Sequence, residues 1–280
     1  MSQIKVILKY SSCCAVLAAG LAGCASTTPN SASNASSVDA LHARLQSRPP
    51  DVLLLGEQHD APEHQQWQRQ TVEQWAASGQ LAAVVLEMAD AGRSTQAVDK
   101  SVDESAVQQT LAWNDKGWPW QAYGPVVMAA VRAGVPVLGG NLPRAQMREV
   151  MQQTPWDSHL PAAGWQRQLD AIREGHCGLL PESQIVPMAR IQLAKDASLA
   201  RTAQQQMRPG KTVLLIAGRG HVLRSIGIPS WLPAGTRSVV AIGQAGDAAQ
   251  ASEADRDWVH NTPAVPAKDH CAALKKQWKK

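Results

Sequence analysis

A run of apolar residues that ends in a glycine and a histidine constrains this chain more than any other stretch. Residues 52–55 read Val-Leu-Leu-Leu and lead directly into Gly56, Glu57 and His59. A continuous apolar run is typical of a parallel strand that helices cover on both faces, and ligands of such sheets gather beyond the carboxyl ends of the strands. We therefore expect a buried strand that delivers Glu57 and His59 to a functional edge.

The same arrangement occurs a second time. Residues 212–217 form another apolar run, and Gly218-Arg219-Gly220-His221 follows it, so the pattern Gly-x-x-His ends two strand candidates. Glycine allows a sharp turn, and an imidazole three residues later can point back across the edge of the sheet. One such pattern carries little weight, whereas two in equivalent positions indicate a shared site.

Further apolar runs complete the expected sheet, at residues 81–88, 135–138 and 238–242. Their ends add polar candidates to the site: Glu87, Asn141 and Arg144. Strands that alternate with helical segments predict an α/β fold, with a mainly parallel β-sheet flanked by helices and all of these loops at one edge. Residues 147–207 have no strand pattern and several prolines, which predicts a smaller helical insertion or cap.

The N-terminal segment determines the expected compartment. Lys5 and Lys9 precede an apolar stretch at residues 13–21, and Leu-Ala-Gly leads into Cys24. This resembles a bacterial lipoprotein signal peptide, whose removal leaves the cysteine lipidated, with palmitate, as the first mature residue. An ordinary signal peptide and a short membrane anchor are the alternatives, although the apolar run is too short to span a bilayer. Ala25 favours the outer membrane, facing the periplasm.

These boundaries divide the chain into four parts. Residues 1–23 are the predicted signal peptide, residues 24–48 a lipidated tether rich in Ser, Thr, Ala and Asn, residues 49–274 the α/β domain, and residues 275–280 a basic tail. The tail either contacts anionic lipid or ligand carboxylates or is a solvated terminus, and we favour the second. The formal net charge of +4 is dispersed along the chain, which is not typical of nucleic-acid binding.

The cysteines allow two interpretations. Of the five, Cys13 and Cys14 leave with the signal peptide and Cys24 carries lipid, so Cys177 and Cys271 remain. In an oxidising compartment we favour a disulfide that ties the C-terminal segment to the domain. The alternative is a thiolate ligand at Cys177, which follows His176.

The aromatic composition is unusual. The chain has no Phe and ten Trp, and because Tyr10 lies in the signal peptide, Tyr123 is the single phenol of the mature chain. Trp118 and Trp120 lie close to it in sequence. Such a cluster either packs in the core or lines a planar, aromatic ligand, and indoles in either role need a partner for their N–H groups.

Several of these motifs together resemble the ChaN family of haem-binding lipoproteins, within the Tiki, TraB and erythromycin-esterase-like superfamily. The resemblance covers about residues 50–274. The motifs that carry it are the paired Gly-x-x-His, Leu86-Glu87-Met88, Gly140-Asn141-Leu142-Pro143-Arg144, Trp118-Pro119-Trp120 before Tyr123, Gly175-His176-Cys177-Gly178, residues 192–200, and Asp257-Trp258-Val259 before Cys271.

The resemblance implies a lipid-anchored haem-binding protein of haem and iron uptake that holds haem between two subunits of a homodimer. An outer-membrane haem receptor would be a partner. A tyrosine ligates iron in this family, so Tyr123 is the implied ligand, with Trp118, Trp120 and His176 beside the cofactor. If Tyr123 packs inside, either haem binding is absent or a histidine must serve instead: His64, His176 or His260. The polar strand-end pocket and the haem surface are then two different places.

The alternative function is a hydrolase. Glu57, His59, Glu87 and His221 can activate water directly or through a divalent metal, while an arginine, Arg144 or Arg219, stabilises an oxyanion. No nucleophile motif is visible in the sequence to support this alternative.

Overall fold

The computed structural model describes residues 32–247 and 251–278. The strands are β1 Val52–Glu57, β2 Leu81–Asp90, β3 Val137–Asn141, β4 Thr212–Gly218, β5 Ser238–Ala245 and β6 Trp258–Thr262. The α-helices are α1 Ala32–Leu45, α2 Pro62–Ala77, α3 Glu104–Thr110, α4 Trp120–Arg132, α5 Arg144–Val150, α6 Ala162–Gly175, α7 Glu182–Gln206, α8 Arg219–Val222 and α9 His270–Trp278. Short 3-10 helices cover Thr154–Ser158, Ile228–Trp231 and Glu253–Asp255.

The strands form one sheet in the order β3-β2-β4-β1-β5-β6, and every pair is parallel. The α/β class with a parallel, helix-flanked sheet is confirmed. The five predicted strands correspond to β1 to β5. Strand β6 was not predicted, because its five residues mix aromatic, apolar and polar side chains and lack a continuous apolar run.

The side chains of β1 explain why its sequence is apolar throughout. Leu53 and Leu55 pack into a core on one face of the sheet, under α1, α2 and α4. Val52 and Leu54 pack into a second core on the other face, together with residues of α7. Successive side chains of a strand point to opposite faces, so a strand between two helical layers requires an apolar residue at every position.

The predicted helical subregion contains α6 and α7 and most of α5. Its longest helix, α7, packs directly on β2, β3 and β4 and forms part of the second helical layer of the domain. Two prolines lie inside helices, Pro187 in α7 and Pro125 in α4. Each lies near the N-terminal end of its helix, where one main-chain hydrogen bond is lost and the packing of buried neighbours preserves the helix.

The predicted tether needs a correction within residues 32–48. Helix α1 occupies most of that range, and its Val38, Leu41 and Leu45 are buried against the first core. Their spacing of three and four residues forms an apolar stripe along one face of a helix. The Ser- and Asn-rich composition concealed this stripe. The signal peptide and Cys24 lie outside the described residues.

A disulfide joins Cys177 to Cys271, with an S–S distance of 2.03 Å, as the cysteine count favoured. It attaches α9 to the turn after α6. The tail residues Lys275 and Lys276 belong to α9 and are exposed to solvent. Within residues 32–247 and 251–278, no helix is both long and apolar enough to cross a membrane.

The packing of α1 predicts a measurable difference between two substitutions in the same helix. Leu41→Ala should lower the free energy of unfolding by about 2–4 kcal/mol, because Leu41 is 1% exposed and its loss leaves a cavity. The exposed Arg44→Ala should change it by less than about 0.5 kcal/mol. Urea unfolding followed by tryptophan fluorescence measures both, and equal stabilities would indicate an unpacked tether.

Candidate functional site

The two Gly-x-x-His motifs meet at the carboxyl edge of the sheet. Strands β1 and β4 are neighbours, and Glu57 at the end of β1 pairs in register with Gly218 at the end of β4. The chain leaves β1 toward α2 on one face, whereas α8 after β4 contributes Val222 to the core on the other face. Such a divergence opens a crevice at the strand ends, where ligands of α/β proteins bind.

Glu57 is the centre of a buried hydrogen-bond network. Its side chain is almost completely buried, and its carboxylate accepts hydrogen bonds from His59 Nδ1 at 2.6 Å and from the Tyr123 hydroxyl at 2.6 Å. Gln65 Nε2 at 2.9 Å and Gln68 Nε2 at 2.6 Å donate to its other oxygen. These donors occupy the approximately four acceptor positions of a carboxylate.

This network orients His59. Because Glu57 accepts from Nδ1, the neutral imidazole carries its lone pair on Nε2. Burial lowers the pKa of His59, but the hydrogen bond and charge of Glu57 outweigh burial and raise it above its ordinary value. The Trp118 ring meets the imidazole edge-on with ring centroids 4.8 Å apart. His59 is thus a positioned base at the mouth of the crevice, with 43% of its side chain exposed.

His221 lies deeper, between two carboxylates. Its Nδ1 is 2.5 Å from Asp196 Oδ1 and its Nε2 is 3.3 Å from Glu87 Oε1, while the other Glu87 oxygen accepts the Gly218 N–H at 2.8 Å. Burial lowers the pKa of His221, but the charges of Glu87 and Asp196 raise it to about 10. His221 is therefore an imidazolium at neutral pH.

The two carboxylates respond differently to this cation. Burial raises the pKa of Glu87, yet His221 overcomes it and holds the pKa well below its usual range. Burial raises the pKa of Asp196 to about 6, and His221 offsets that only in part. Asp196 makes the shorter contact, but Glu87 also receives a backbone N–H, so we assign the compensating charge first to Glu87.

The first glycines of the two motifs allow the motifs to interlock. A Cβ on Gly218 would lie 2.8 Å from His59 Nε2, and a Cβ on Gly56 would lie 2.4 Å from Val222. Neither glycine has a positive φ. The sequence-based expectation that they permit sharp turns was therefore wrong, and their role is to leave room for the other motif.

The remaining strand-end candidates surround a neighbouring cavity. Asn141 and Arg144 line a cavity of about 440 Å³ together with Trp118. The side-chain oxygen of Asn141 is buried there and has no hydrogen-bond partner among the described residues. Arg219 begins α8, directly after β4. The structure therefore places Asn141, Arg144 and Arg219 at the predicted edge of the sheet.

Tyr123 is not placed to ligate iron, which corrects the role implied by the resemblance. The residue is 2% exposed, and its hydroxyl donates to Glu57. Burial and then the Glu57 carboxylate raise the pKa of the phenol, which opposes formation of the phenolate that ferric haem prefers. Trp118 packs edge-on against Tyr123, and Trp120 packs edge-on against Trp113. These half-buried indoles cover the first core, and Trp118 also contacts His59.

Two of the three alternative histidines are also enclosed. His64 is completely buried, and its Nδ1 accepts the Gln58 N–H at 3.0 Å while its Nε2 is 3.2 Å from the Thr262 hydroxyl. His260 is 1% exposed, stacks on Trp67 and bonds to Ser37. Burial lowers the pKa of both. These histidines hold β6 and α1 to α2.

His176 differs from both. It lies half-buried at the end of α6, and its Nδ1 is 2.9 Å from the carbonyl oxygen of Ile172. It lines a cavity of about 210 Å³ with Asp196 and His221, and His59 is not part of that lining. The structure thus places His176 apart from Tyr123, Trp118 and Trp120, with which the resemblance grouped it.

Three site residues were missed by sequence reasoning. Gln65 and Gln68 are three residues apart on α2 and so share a helix face, a signal that the Gln-rich sequence around them obscured. Asp196 lies on α7, and nothing near it in sequence indicates that α7 crosses the strand ends. Among the described residues, no group of three or more His, Cys, Asp or Glu side chains is arranged to hold a metal ion, so the divalent-metal alternative gains no support.

Comparisons with solved structures agree with this α/β architecture. A structure described as cofacial heme binding to ChaN of Campylobacter jejuni is 23% identical, covers 79% of this chain and 89% of its own, and superposes with a TM-score of 0.66. The type III effector HopBA1 is 14% identical, covers 82% of this chain and 94% of its own, and gives a TM-score of 0.50. At these identities the likeness concerns the fold alone. A search of curated proteins gave no significant match.

The sequence itself identifies the family. The model of the family described as "Haem-binding uptake, Tiki superfamily, ChaN" matches residues 45–232. This range contains both Gly-x-x-His motifs, Glu87, His176 and Asp196. The chain belongs to this haem-binding uptake family.

The interlocked motifs predict that alanine lowers the stability of the protein at Gly218 but not at Gly220. Gly218→Ala should lower the free energy of unfolding by about 1–3 kcal/mol, because its Cβ would lie 2.8 Å from His59 Nε2. Gly220→Ala is the control, since nothing lies within 4 Å of its Cβ and alanine favours the helix. Chemical denaturation compares them, and a Gly218→Ala protein as stable as the control would contradict the interlock.

The environment of His221 predicts a loss of stability at alkaline pH. Its pKa is raised from an ordinary value of 6.5 to about 10 in the folded protein, so its contribution is full below about pH 6.5 and is lost as the pH rises toward 10. Between pH 7 and 10 the loss should be on the order of 3 kcal/mol larger in the wild type than in His221→Gln. Urea unfolding at both pH values measures it, and parallel losses in the two proteins would refute it.

Proposed function

We propose that this protein is a membrane-anchored lipoprotein that binds haem at the interface of a homodimer during haem and iron uptake. Membership of the haem-binding uptake family supports the haem and uptake parts of this proposal. The anchor rests on the Cys24 pattern, which lies outside the described residues, and it implies the outer membrane as the location and a haem receptor there as a partner.

The assignment of His176 as the iron ligand rests on one observation, the hydrogen bond that orients its imidazole ring. A backbone carbonyl can only accept, so Nδ1 of His176 donates to Ile172 and leaves the lone pair of the neutral imidazole on Nε2. A hydrogen bond from the second ring nitrogen to a backbone carbonyl is the arrangement that fixes metal-ligating histidines. Bound haem would supply the iron; His176 would fix its position.

The size of the cavity beside His176 supports a dimer. It measures about 210 Å³, below the range of roughly 300–1,000 Å³ that encloses a drug-sized ligand. A haem held by His176 would therefore extend beyond one subunit, and a second subunit would cover it. The related ChaN structure of Campylobacter jejuni is described as binding heme cofacially, which agrees with such an arrangement.

The environment of His59 favours a second candidate function, hydrolysis. A carboxylate that fixes Nδ1 of a histidine, as Glu57 does here, is the usual support of a general base that activates water. The family is defined by haem binding, however, so we place haem binding first. His59 and the surface around His176 then serve separate roles.

A hemin titration tests the proposal. The purified protein should shift the Soret band at stoichiometric hemin, and His176→Ala should weaken binding at least about tenfold, because the side chain that would hold the iron is lost. Tyr123→Phe should leave the Soret position unchanged, since its hydroxyl lies inside the domain. Light scattering of the loaded protein should give the mass of a dimer.

The matched control is His159→Ala. This histidine is also half-buried, but it stacks on Trp231 with ring centroids 3.2 Å apart. It should bind hemin like the wild type. No Soret shift in the wild type would refute haem binding, and equal affinities for the His176 and His159 variants would refute His176 as the ligand.

A further inference from the structure

A third cavity lies at the outer side of His59. It measures about 360 Å³ and lies between α2, the start of α4 and the segment that follows β6. Two permanently charged cations line it, Arg69 and Lys268, together with the amide side chains of Gln65, Gln66 and Gln121. Asp60 is its one lining carboxylate. The polar part of the lining therefore offers mainly the two cations and the amide N–H groups of Gln66 and Gln121, since Gln65 already donates to Glu57. Pro62, Ala122 and Pro125 supply apolar surface.

Lys268 reaches this cavity on a segment held at both ends. Residues 263–269, here called the strap, connect β6 to α9. Strand β6 fixes the beginning of the strap by pairing with β5. The disulfide from Cys271 to Cys177 fixes its end. Pro263 and Pro266 further restrict its backbone, so Lys268 is part of a constrained wall of the cavity.

The cations have partners that a ligand can replace. Lys268 Nζ is 3.4 Å from Asp60 Oδ2, and Arg69 Nε is 2.7 Å from Glu73 Oε1. All of these side chains except that of Asp60 are about half exposed or more. Exposed ion pairs contribute about 0–1 kcal/mol. An anion that enters the cavity can therefore compete for both cations at small cost.

A carboxylate suits the charge and the donors of this lining. The guanidinium of Arg69 and the ammonium of Lys268 attract a carboxylate, and glutamine N–H groups can donate further hydrogen bonds to its oxygens. The cavity is large enough for a small organic molecule, or for one edge of a larger one. We propose that this cavity binds the carboxylate group of an organic ligand through Lys268 and Arg69, and that the disulfide positions the strap for this contact.

A carboxylate could come from two sources, and two probes separate them. Citrate, followed by isothermal titration calorimetry, represents a free small carboxylate. Hemin compared with hemin dimethyl ester, followed by absorption, represents the propionates of haem, and this arm rests on the proposed function. Both arms use the whole disulfide-bonded protein. The wild type should bind citrate, or should bind hemin more tightly than the ester.

Substitutions assign that binding to the strap. Lys268→Ala should weaken the carboxylate-dependent binding by about tenfold, as expected for a charge-assisted hydrogen bond. Lys268→Arg should retain most of it. Lys275→Ala removes an exposed lysine of the adjoining α9 and should change nothing. Cys177→Ser combined with Cys271→Ser, checked for folding by circular dichroism, should weaken binding about as much as Lys268→Ala.

The outcomes separate this inference from haem binding. Hemin and its ester bound equally well, with no citrate binding, would overturn the carboxylate site and leave the haem proposal intact. Equal effects of Lys268→Ala and Lys275→Ala would overturn the role of Lys268. Citrate binding that depends on Lys268, in a protein that does not bind hemin, would support the carboxylate site while contradicting the haem proposal.

Discussion

The arrangement of the site depends on one buried carboxylate. Glu57 closes β1 and accepts hydrogen bonds from the loop that follows it, from α2 and from α4, through His59, Gln65, Gln68 and Tyr123. Burial of a carboxylate is costly unless its oxygens are satisfied, so the four donors and the strand end require one another. The hydrogen bonds that offset the cost of burying Glu57 also fix the His59 imidazole at the mouth of the crevice and hold the Tyr123 hydroxyl inside the domain.

The paired motifs extend this dependence to the neighbouring strand. Gly218 leaves room for His59, and Gly56 leaves room for Val222, so the segment after each strand packs against the end of the neighbouring strand, where a side chain on the glycine would collide with it. Beyond them His221 carries a positive charge between Glu87 and Asp196. A half-exposed histidine held by Glu57 and a buried imidazolium held by Glu87 and Asp196 thus follow adjacent strands.

Much of the fold could be predicted from the sequence, because a central parallel strand must be apolar on both faces and the runs around Leu54 and Leu215 are. The strand-end residues were predictable for the same reason. The wrong predictions were those that relied on composition or on elimination, because neither says which residues are in contact. A serine-rich composition concealed the helix of Leu41, and being the single phenol of the mature chain said nothing about the burial of Tyr123. Asp196 could not be predicted, because its role comes from the path of α7 over the sheet.

The disulfide also has a consequence for the order of assembly. Cys271 follows all six strands in the chain, and its partner Cys177 precedes β4. During synthesis the two sulfur atoms can meet only after the residues of all six strands have been added to the chain. The bond therefore cannot form before the residues of every strand are present in the chain. In the folded protein it secures the strap and α9 against the turn after α6.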